Sequence, residues 1–144
     1  MYANNEFKFI AVVNDKIEIP KLMNALGHTT AGLMSKANDN SEMEFLKYKF
    51  ACEFAQPSFI ALSPYIILKA KNNNQLKTLH LAVNERAILH NVFTDSMLGA
   101  SAEEQITQTK NTKVDDLTYF CIILFGKYEE DLKPLTKKFS LFRG

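Results

Sequence analysis

The sequence has little of the material that several common kinds of functional site require. Two cysteines are too few for a disulfide framework, and the three histidines, with no i, i+4 pair among them, argue against a structural zinc site. Five glycines leave little chain for a phosphate-cradling loop, and neither a nucleophile elbow nor a dinucleotide fingerprint is present. We therefore expect no metal and no cofactor.

Long apolar runs and a strong net charge are missing as well. No stretch of about eighteen apolar residues occurs, so no membrane span is predicted. The opening residues lack the basic and then apolar pattern of a signal peptide, which predicts a cytoplasmic protein. A formal net charge of +1 gives no overall field that would attract nucleic acid or a membrane surface.

The chain does have apolar material in an amount that suits one core. With 47% hydrophobic residues, including eleven Phe, it can bury a core without disulfides or metals. We expect a single domain over residues 1–144, because no repeat, low-complexity tract or linker interrupts the sequence. Cys52 and Cys121 each lie in an apolar, strand-like run, and we expect both to be buried.

Strand-like and helix-like segments alternate along the chain. Apolar, β-prone runs predict strands at 7–14, 65–70, 89–94 and 119–125 and, with a less regular pattern, at 44–54. Helical periodicity and capping residues predict helices over 20–36, about 74–87 and about 101–111. This alternation predicts an α/β fold, a three-layer mixed β-sheet of about four strands flanked by helices.

The first predicted helix carries polar side chains on one narrow face. Lys21, Asn24 and His28 stand at relative positions 0, 3 and 7, and Gly32 follows on the same face, where its missing side chain leaves room for another group. Lys21 lies in the first helical turn, where free backbone N–H groups also favour an anion. The alternative interpretation is a solvated Lys and a half-buried His.

Asp95 follows the predicted strand that ends at Thr94. In α/β sheets, sites collect at the carboxyl ends of strands, where a carboxylate could pair with Lys21 or orient His28 for proton transfer. The other interpretation is a loop carboxylate that caps its own backbone near Ser96. We expect Asn24, Thr94 and Ser96 to contact a bound ligand if the site is functional.

Two parts of the sequence resemble peptidyl-tRNA hydrolase type II. The run 9–14, followed by Lys21-x-x-Asn24-Ala25-x-x-His28, is similar to that family's opening strand and helix. The segment Phe93-Thr94-Asp95 is similar to part of its second half. The resemblance implies a peptidyl-tRNA hydrolase type II-like fold, with Lys21, His28 and Asp95 as the catalytic residues.

A closer resemblance covers nearly the whole chain. The segments 23–33, 93–98 and 132–143 resemble domain of unknown function family 2000, which is assigned to the same hydrolase-like fold and has no settled activity. The sequence departs from the hydrolase at four places, among them Pro20 in place of a Gly and residues 124–127 in place of a Gly-x-Gly-Pro segment. Ala25 stands where the hydrolase has Gln, and Gly99 stands where its Thr would fall, so the role of that Thr is unassigned.

Three classes of function are compatible with these residues. One is hydrolysis of an acyl or ester bond of a nucleotide- or tRNA-linked substrate, with Lys21 stabilising the developing charge and His28, or a water ordered by Asp95, acting as general base. The second is a non-catalytic module that binds an anionic small molecule or a protein partner in the same cleft. The third is a homodimer that pairs through an apolar helix face. Candidate contacts for that dimer are Met23, Met34 and Met43.

Overall fold

Strands and helices alternate through the part of the chain that a computed structural model describes, residues 6–37 and 42–143. Its seven strands are β1 (Phe7–Asn14), β2 (Phe45–Tyr48), β3 (Ser58–Ala61), β4 (Tyr65–Ala70), β5 (Leu89–Thr94), β6 (Tyr119–Lys127) and β7 (Ser140–Leu141). Its four α-helices are α1 (Ile19–Lys36), α2 (Asn73–Glu85), α3 (Ala102–Asn111) and α4 (Lys133–Thr136). None of these helices is long and apolar enough to cross a bilayer. Residues 1–5, which belong to the opening segment that predicts no signal peptide, lie outside the described residues.

Five of the strands form one mixed sheet in the order β5-β6-β1-β4-β7. β1 and β4 run parallel, whereas the other neighbouring pairs are antiparallel. The expected mixed sheet is thus confirmed, with one strand more than the four predicted. The additional strand is β7, which pairs Ser140 and Leu141 with β4. A strand of two residues has no measurable periodicity, which is why the sequence pattern does not predict it.

Helices cover both faces of this sheet. The odd-numbered side chains of β1 pack with buried residues of α1, and the even-numbered ones pack with buried residues of α2. Between Phe9 and Val13 every residue of β1 is at most 2% exposed. A strand segment that is buried on both faces is expected to be apolar, and residues 9–13 of β1 all are. The predicted three-layer arrangement is therefore correct.

The apolar spacing of α1 determines which side of the helix packs on the sheet. Pro20 lies in its first turn, where the missing N–H and fixed φ suit a helix start. Leu22, Ala25, Thr29 and Leu33 are buried at intervals of three and four residues, so one side of the helix packs on the sheet. The neighbouring polar face that begins at Lys21 is left at the edge of this contact.

β2 and β3 form a separate hairpin. The prediction of one strand over 44–54 is wrong, because extended structure covers only Phe45–Tyr48 and residues 49–57 form turns and coil before β3. Leu46 of β2 lies opposite Ile60 of β3. The prediction that Cys52 is buried is wrong for the same reason, since Cys52 lies in this exposed connection, whereas Cys121 in β6 is buried as predicted.

Candidate functional site

A cleft of about 930 Å³ lies between α1, β5 and α3. It is lined by Asn24, His28 and Thr29 of α1, by Asn91, Val92 and Phe93 of β5, by Met97, Leu98 and Gly99 of the following turn, and by Gln105, Ile106, Thr109 and Lys110 of α3. Pockets for small molecules usually have volumes of about 300–1,000 Å³. The cleft is therefore large enough to hold a metabolite-sized ligand.

The cleft combines an apolar surface with a few separated polar groups. Leu98 and Ile106 are 50% and 69% exposed, so two large apolar side chains are available to a ligand at its mouth. His28 and Lys110 supply an imidazole and an ammonium group. Among the described residues that line the cleft, none is Asp or Glu. This lining favours a ligand that has an apolar portion and an anionic group.

Lys21 lies in a second cavity of about 280 Å³ beside the first. The two cavities share Asn24, Phe93 and Leu98. Lys21 Nζ is 3.4 Å from Glu18 Oε1, and the two side chains are 63% and 76% exposed. An exposed ion pair of this kind is weak, so Lys21 can turn toward a ligand at small cost.

The structure places Lys21, Asn24 and His28 along the cleft side of α1 but does not bring Asp95 to them. Asp95 lines neither cavity, and its Oδ1 accepts a hydrogen bond from the Thr118 backbone N–H at 3.0 Å. The Asp95 N–H in turn donates to the Thr118 carbonyl at 2.9 Å. Within residues 6–37 and 42–143, no hydrogen bond or ion pair joins Asp95 to Lys21 or His28. Asp95 instead connects the end of β5 to the segment that leads into β6.

Thr94 and Ser96 reach the cleft only through another hydroxyl. Thr94 Oγ1 lies 2.7 Å from Ser96 Oγ, which lies 2.9 Å from Thr109 Oγ1. Thr109 Oγ1 donates to the Gln105 carbonyl at 2.9 Å, so each hydroxyl has a partner. Thr94 and Ser96 are only 2% and 5% exposed, whereas Thr109 lines the cleft. This series of hydroxyl groups connects α3 to the end of β5 and so positions α3 as one wall of the cleft.

α3 is the wall that the sequence analysis did not assign to the site. Its predicted start is confirmed, because Ser101 Oγ accepts a hydrogen bond from the Glu104 N–H at 3.2 Å. No residue of this described helix is fully buried, and Gln105 Nε2 donates to the Gly99 carbonyl at 3.0 Å. The sequence did contain one signal, since Ile106 is the single large apolar residue of an otherwise polar helix.

A buried thiol lies behind the cleft. Cys121 Sγ is 3.6 Å from Thr29 Oγ1, and Thr29 lines the cleft. Burial raises the pKa of Cys121 to about 11, and the Thr29 hydroxyl only partly opposes the shift. The thiol is therefore protonated near neutral pH and is no ready nucleophile. In the described ranges no group of three or more His, Cys, Asp or Glu side chains is placed to hold a metal ion.

Known proteins are similar to this chain in fold and, through one family, in sequence. No curated protein matches the sequence. A solved structure, Protein of Unknown Function Atu0240 from Agrobacterium tumefaciens, has a TM-score of 0.79 over 96% of this chain and 98% of that chain. At 12% identity this similarity shows a shared fold and nothing more. The family described as Protein of unknown function (DUF2000) matches residues 7–143. The chain belongs to the DUF2000 family.

Proposed function

We propose that the cleft between α1, β5 and α3 binds a small molecule that joins an anionic group to an apolar portion. The observation that carries the proposal is the lining, which offers Lys110 and His28 to an anion and leaves Leu98 and Ile106 open to an apolar group. No carboxylate of the described lining would repel an anion. Apolar contact supplies most of the affinity in such a site, and the polar groups orient the ligand.

The position of Lys21 favours an elongated ligand. Lys21 and His28 are seven residues apart on α1, which corresponds to about 10 Å along the helix axis. The N-cap residue Glu18 makes no side-chain cap hydrogen bond. Backbone N–H groups in the first turn of α1, where Lys21 lies, therefore have no side-chain acceptor from the cap and can donate to an anion. Asn24 and Leu98 line both cavities, so an extended molecule in the large cleft can pass beside them to reach the Lys21 end.

Thermal-shift and calorimetric titrations with five simple probes test this proposal. Octanoate joins an anionic group to an alkyl chain, and AMP joins one to an aromatic base with apolar faces. Acetate and inorganic phosphate have only the anion, and octylamine has the alkyl chain with a positive charge. We expect octanoate or AMP to bind more tightly than the other three. Lys110→Ala and Ile106→Ser should each weaken binding by about tenfold, equivalent to about 1.4 kcal/mol.

Lys113→Ala is the matched control, because Lys113 is an exposed residue three positions away that does not line the cleft. It should leave the affinity unchanged. Two results would contradict the proposal: octylamine binding as tightly as octanoate, or both cleft variants binding the probes as tightly as the natural chain does.

A hydrolase is the second candidate, and the position of His28 favours it. The His28 side chain is exposed and lines the cleft, and no hydrogen bond or ion pair with another described residue engages it. It is thus free to take a proton from a water that attacks an acyl or ester bond, while Lys21 stabilises the developing oxyanion. The water oxygen forms a bond to the acyl carbon, the bond from that carbon to the alcohol or nucleotide-linked oxygen breaks, and His28 gives the proton it took from water to the leaving oxygen.

The resemblance to peptidyl-tRNA hydrolase type II supports this second candidate. Lys21 and His28 match that family's Lys and His at the same spacing, and the mixed sheet suits a peptidyl-tRNA hydrolase type II-like fold. For this second candidate we also propose a tRNA-linked substrate and a cytoplasmic location. Against it stands Asp95, whose carboxylate is bonded to the Thr118 N–H rather than to His28.

Hydrolysis of peptidyl-tRNA and of 4-nitrophenyl octanoate separates the two candidates. If the protein is a hydrolase, His28→Asn should abolish turnover, whereas octanoate binding should weaken by about tenfold at most because Lys110 remains. If the natural chain binds octanoate but cleaves neither substrate, the binding proposal stands and hydrolysis of these substrates is rejected.

A further inference from the structure

The β2–β3 hairpin exposes large apolar side chains that the cleft does not use. Six of them lie between residues 45 and 60, and their exposed fractions run from 46% for Tyr48 to 89% for Phe54. We call these six the hairpin cluster: Phe45, Tyr48, Phe50, Phe54, Phe59 and Ile60. Soluble monomers rarely leave a large set of neighbouring apolar side chains in water unless the surface binds a partner.

The hairpin is anchored at its two ends, residues 43–44 and 61–62, which we call its root, and the remainder is open. The Leu62 N–H donates to the Glu44 carbonyl at 2.9 Å, and Met43 and Ala61 pack against the core on the α1 side of the main sheet. Beyond this root, the pairing of the described strands joins β2 and β3 to each other and to no other strand. A two-stranded hairpin alone is only marginally stable in water. A partner that covers the hairpin would therefore stabilise it.

We propose that the hairpin cluster packs against the same cluster of a second copy of this chain. If a fully exposed aromatic side chain presents about 200 Å², the observed fractions leave roughly 700 Å² of the six side chains in water. Each partner of a standard stable interface contributes about 800 Å². The pairing of β2 with β3 places Phe45 and Phe59 on one face of the hairpin and Tyr48 and Ile60 on the other. A second copy that packs on one face therefore buries only part of this area, and the open strand edges must supply the rest of the interface.

The charges of the hairpin are compatible with an identical partner. Glu44, Lys47, Lys49 and Glu53 are all exposed, so the segment carries two charges of each sign. In a two-fold interface one surface meets itself, and a surface of a single sign would repel its copy. The balanced hairpin avoids this repulsion and can place lysines of one copy near glutamates of the other. Each strand also leaves one edge unpaired among the described strands, and such edges pair readily between chains.

This surface differs from the methionine surface that the sequence suggested. Met34 and Met43 are partly buried against the core on the α1 side of the sheet, which leaves less of each side chain for a contact between copies. Met23 is 68% exposed, but it is a single side chain on α1. The hairpin cluster offers a larger apolar surface on one element.

Sedimentation velocity over a wide range of concentrations tests the proposal on the full chain. We expect a reversible dimer, and the double variant Phe54→Ser/Phe59→Ser should raise its dissociation constant by at least tenfold. Both side chains are exposed, so this variant should fold, which circular dichroism checks. Leu81→Ser is the control, since Leu81 on α2 is 57% exposed and lies outside the hairpin. It should dimerise like the natural chain.

Hydrogen exchange locates the interface independently. Amides of Phe45–Tyr48 and Ser58–Ala61 should gain protection as concentration rises, and those of α2 should not. A monomer at every concentration would overturn the proposal and leave the hairpin for a different protein. A dimer that the double variant does not weaken would also overturn it. Octanoate binding by the monomeric double variant would show that ligand binding in the cleft does not depend on dimerisation.

Discussion

The side chain of Asn91 in β5 occupies the space that a side chain at position 32 of α1 would need. A Cβ placed on Gly32 would lie 2.7 Å from Asn91 Nδ2, closer than real Cβ atoms approach another heavy atom. Asn91 Nδ2 donates instead to the Thr29 carbonyl at 3.0 Å. Gly32 therefore lets the β5 wall of the cleft pack closely on α1. This confirms the sequence-based expectation that Gly32 leaves room for another group.

Gly32→Ala should disturb the cleft and be less stable than an alanine placed where the helix has space. The new methyl group would push the Asn91 amide away from Thr29, and the loss of that hydrogen bond, about 1 kcal/mol, should cancel the gain in helix propensity of about 0.5–1 kcal/mol. Urea denaturation gives the change in the free energy of unfolding, and octanoate affinity reports on the displaced Asn91.

Gly27→Ala is the matched control on the same helix. A Cβ at Gly27 meets no atom within 4 Å, so the substitution adds only helix propensity and should stabilise by about 0.5–1 kcal/mol. If Gly32→Ala is as stable as Gly27→Ala, the close approach of Asn91 does not constrain the fold.

Thr109→Val should loosen α3 without unfolding the sheet. The substitution keeps the shape of the side chain but removes the hydroxyl that bonds to Ser96 Oγ at 2.9 Å, and α3 has no fully buried residue of its own to hold it. Exchange of the α3 amides with deuterium should become faster, and octanoate affinity should fall because Thr109 and Lys110 move with the helix.

Thr107→Val serves as the comparison for this effect. Thr107 is exposed on the same helix and lines no part of the cleft, so the loss of its hydroxyl should leave both exchange and affinity as they are. Equal exchange rates in the two valine variants would mean that the hydroxyl series from Thr94 to Thr109 does not position α3.

His80 should make the stability fall on mild acidification. Burial lowers the pKa of His80 below its ordinary 6.5, and the nearby His90 and Lys36 lower it further. The His80 and His90 rings are 5.7 Å apart, and His80 Nδ1 is 2.7 Å from the hydroxyl of Tyr119, a group that burial keeps protonated by raising its pKa.

The sign of the effect follows from which state binds the proton. Below pH 6.5 the unfolded chain protonates His80 more readily than the folded chain does, so the free energy of unfolding decreases as pH falls. The decrease is complete once the pH is below the lowered pKa of the folded state, and the contribution is constant above 6.5. His80→Gln should remove this part of the pH dependence in urea titrations between pH 8 and pH 5. An unchanged slope in His80→Gln would show that other groups cause it.

The fold was predictable where burial imposes a regular period. β1, β4 and β6 are largely apolar runs packed under helices, and α1 shows its buried spacing from Leu22 to Leu33. The segment 44–54 has similar apolar content, yet its aromatic side chains are exposed, and a pattern of residue types does not reveal which surface covers them. Cys52 was placed wrongly because its surroundings in sequence are apolar while its surroundings in space are solvent.

The candidate site was predictable only along a single element. Lys21, Asn24 and His28 share a helix face because helical geometry fixes their relative directions. The contribution of α3 depends on the hydroxyl contacts between Ser96 and Thr109, which are thirteen residues apart. The direction of Asp95 depends on Thr118, twenty-three residues away. Spacing along the chain contains no information on such partners.

Substitutions of Asp95 can show whether its carboxylate has a structural or a chemical role. Asp95→Asn keeps an oxygen at Oδ1 that can accept from the Thr118 N–H, so it should change stability little. Asp95→Ala removes that acceptor and should cost about 0.5–1.5 kcal/mol, the net contribution of a typical hydrogen bond, because water can bond to the exposed N–H instead. Urea denaturation measures both values. If Asp95 acts in catalysis, Asp95→Asn should abolish any hydrolysis that the natural chain shows while its stability is retained. If the role is the one seen in the structure, only Asp95→Ala should have an effect, and it should act through stability and through the path of the chain from β5 to β6.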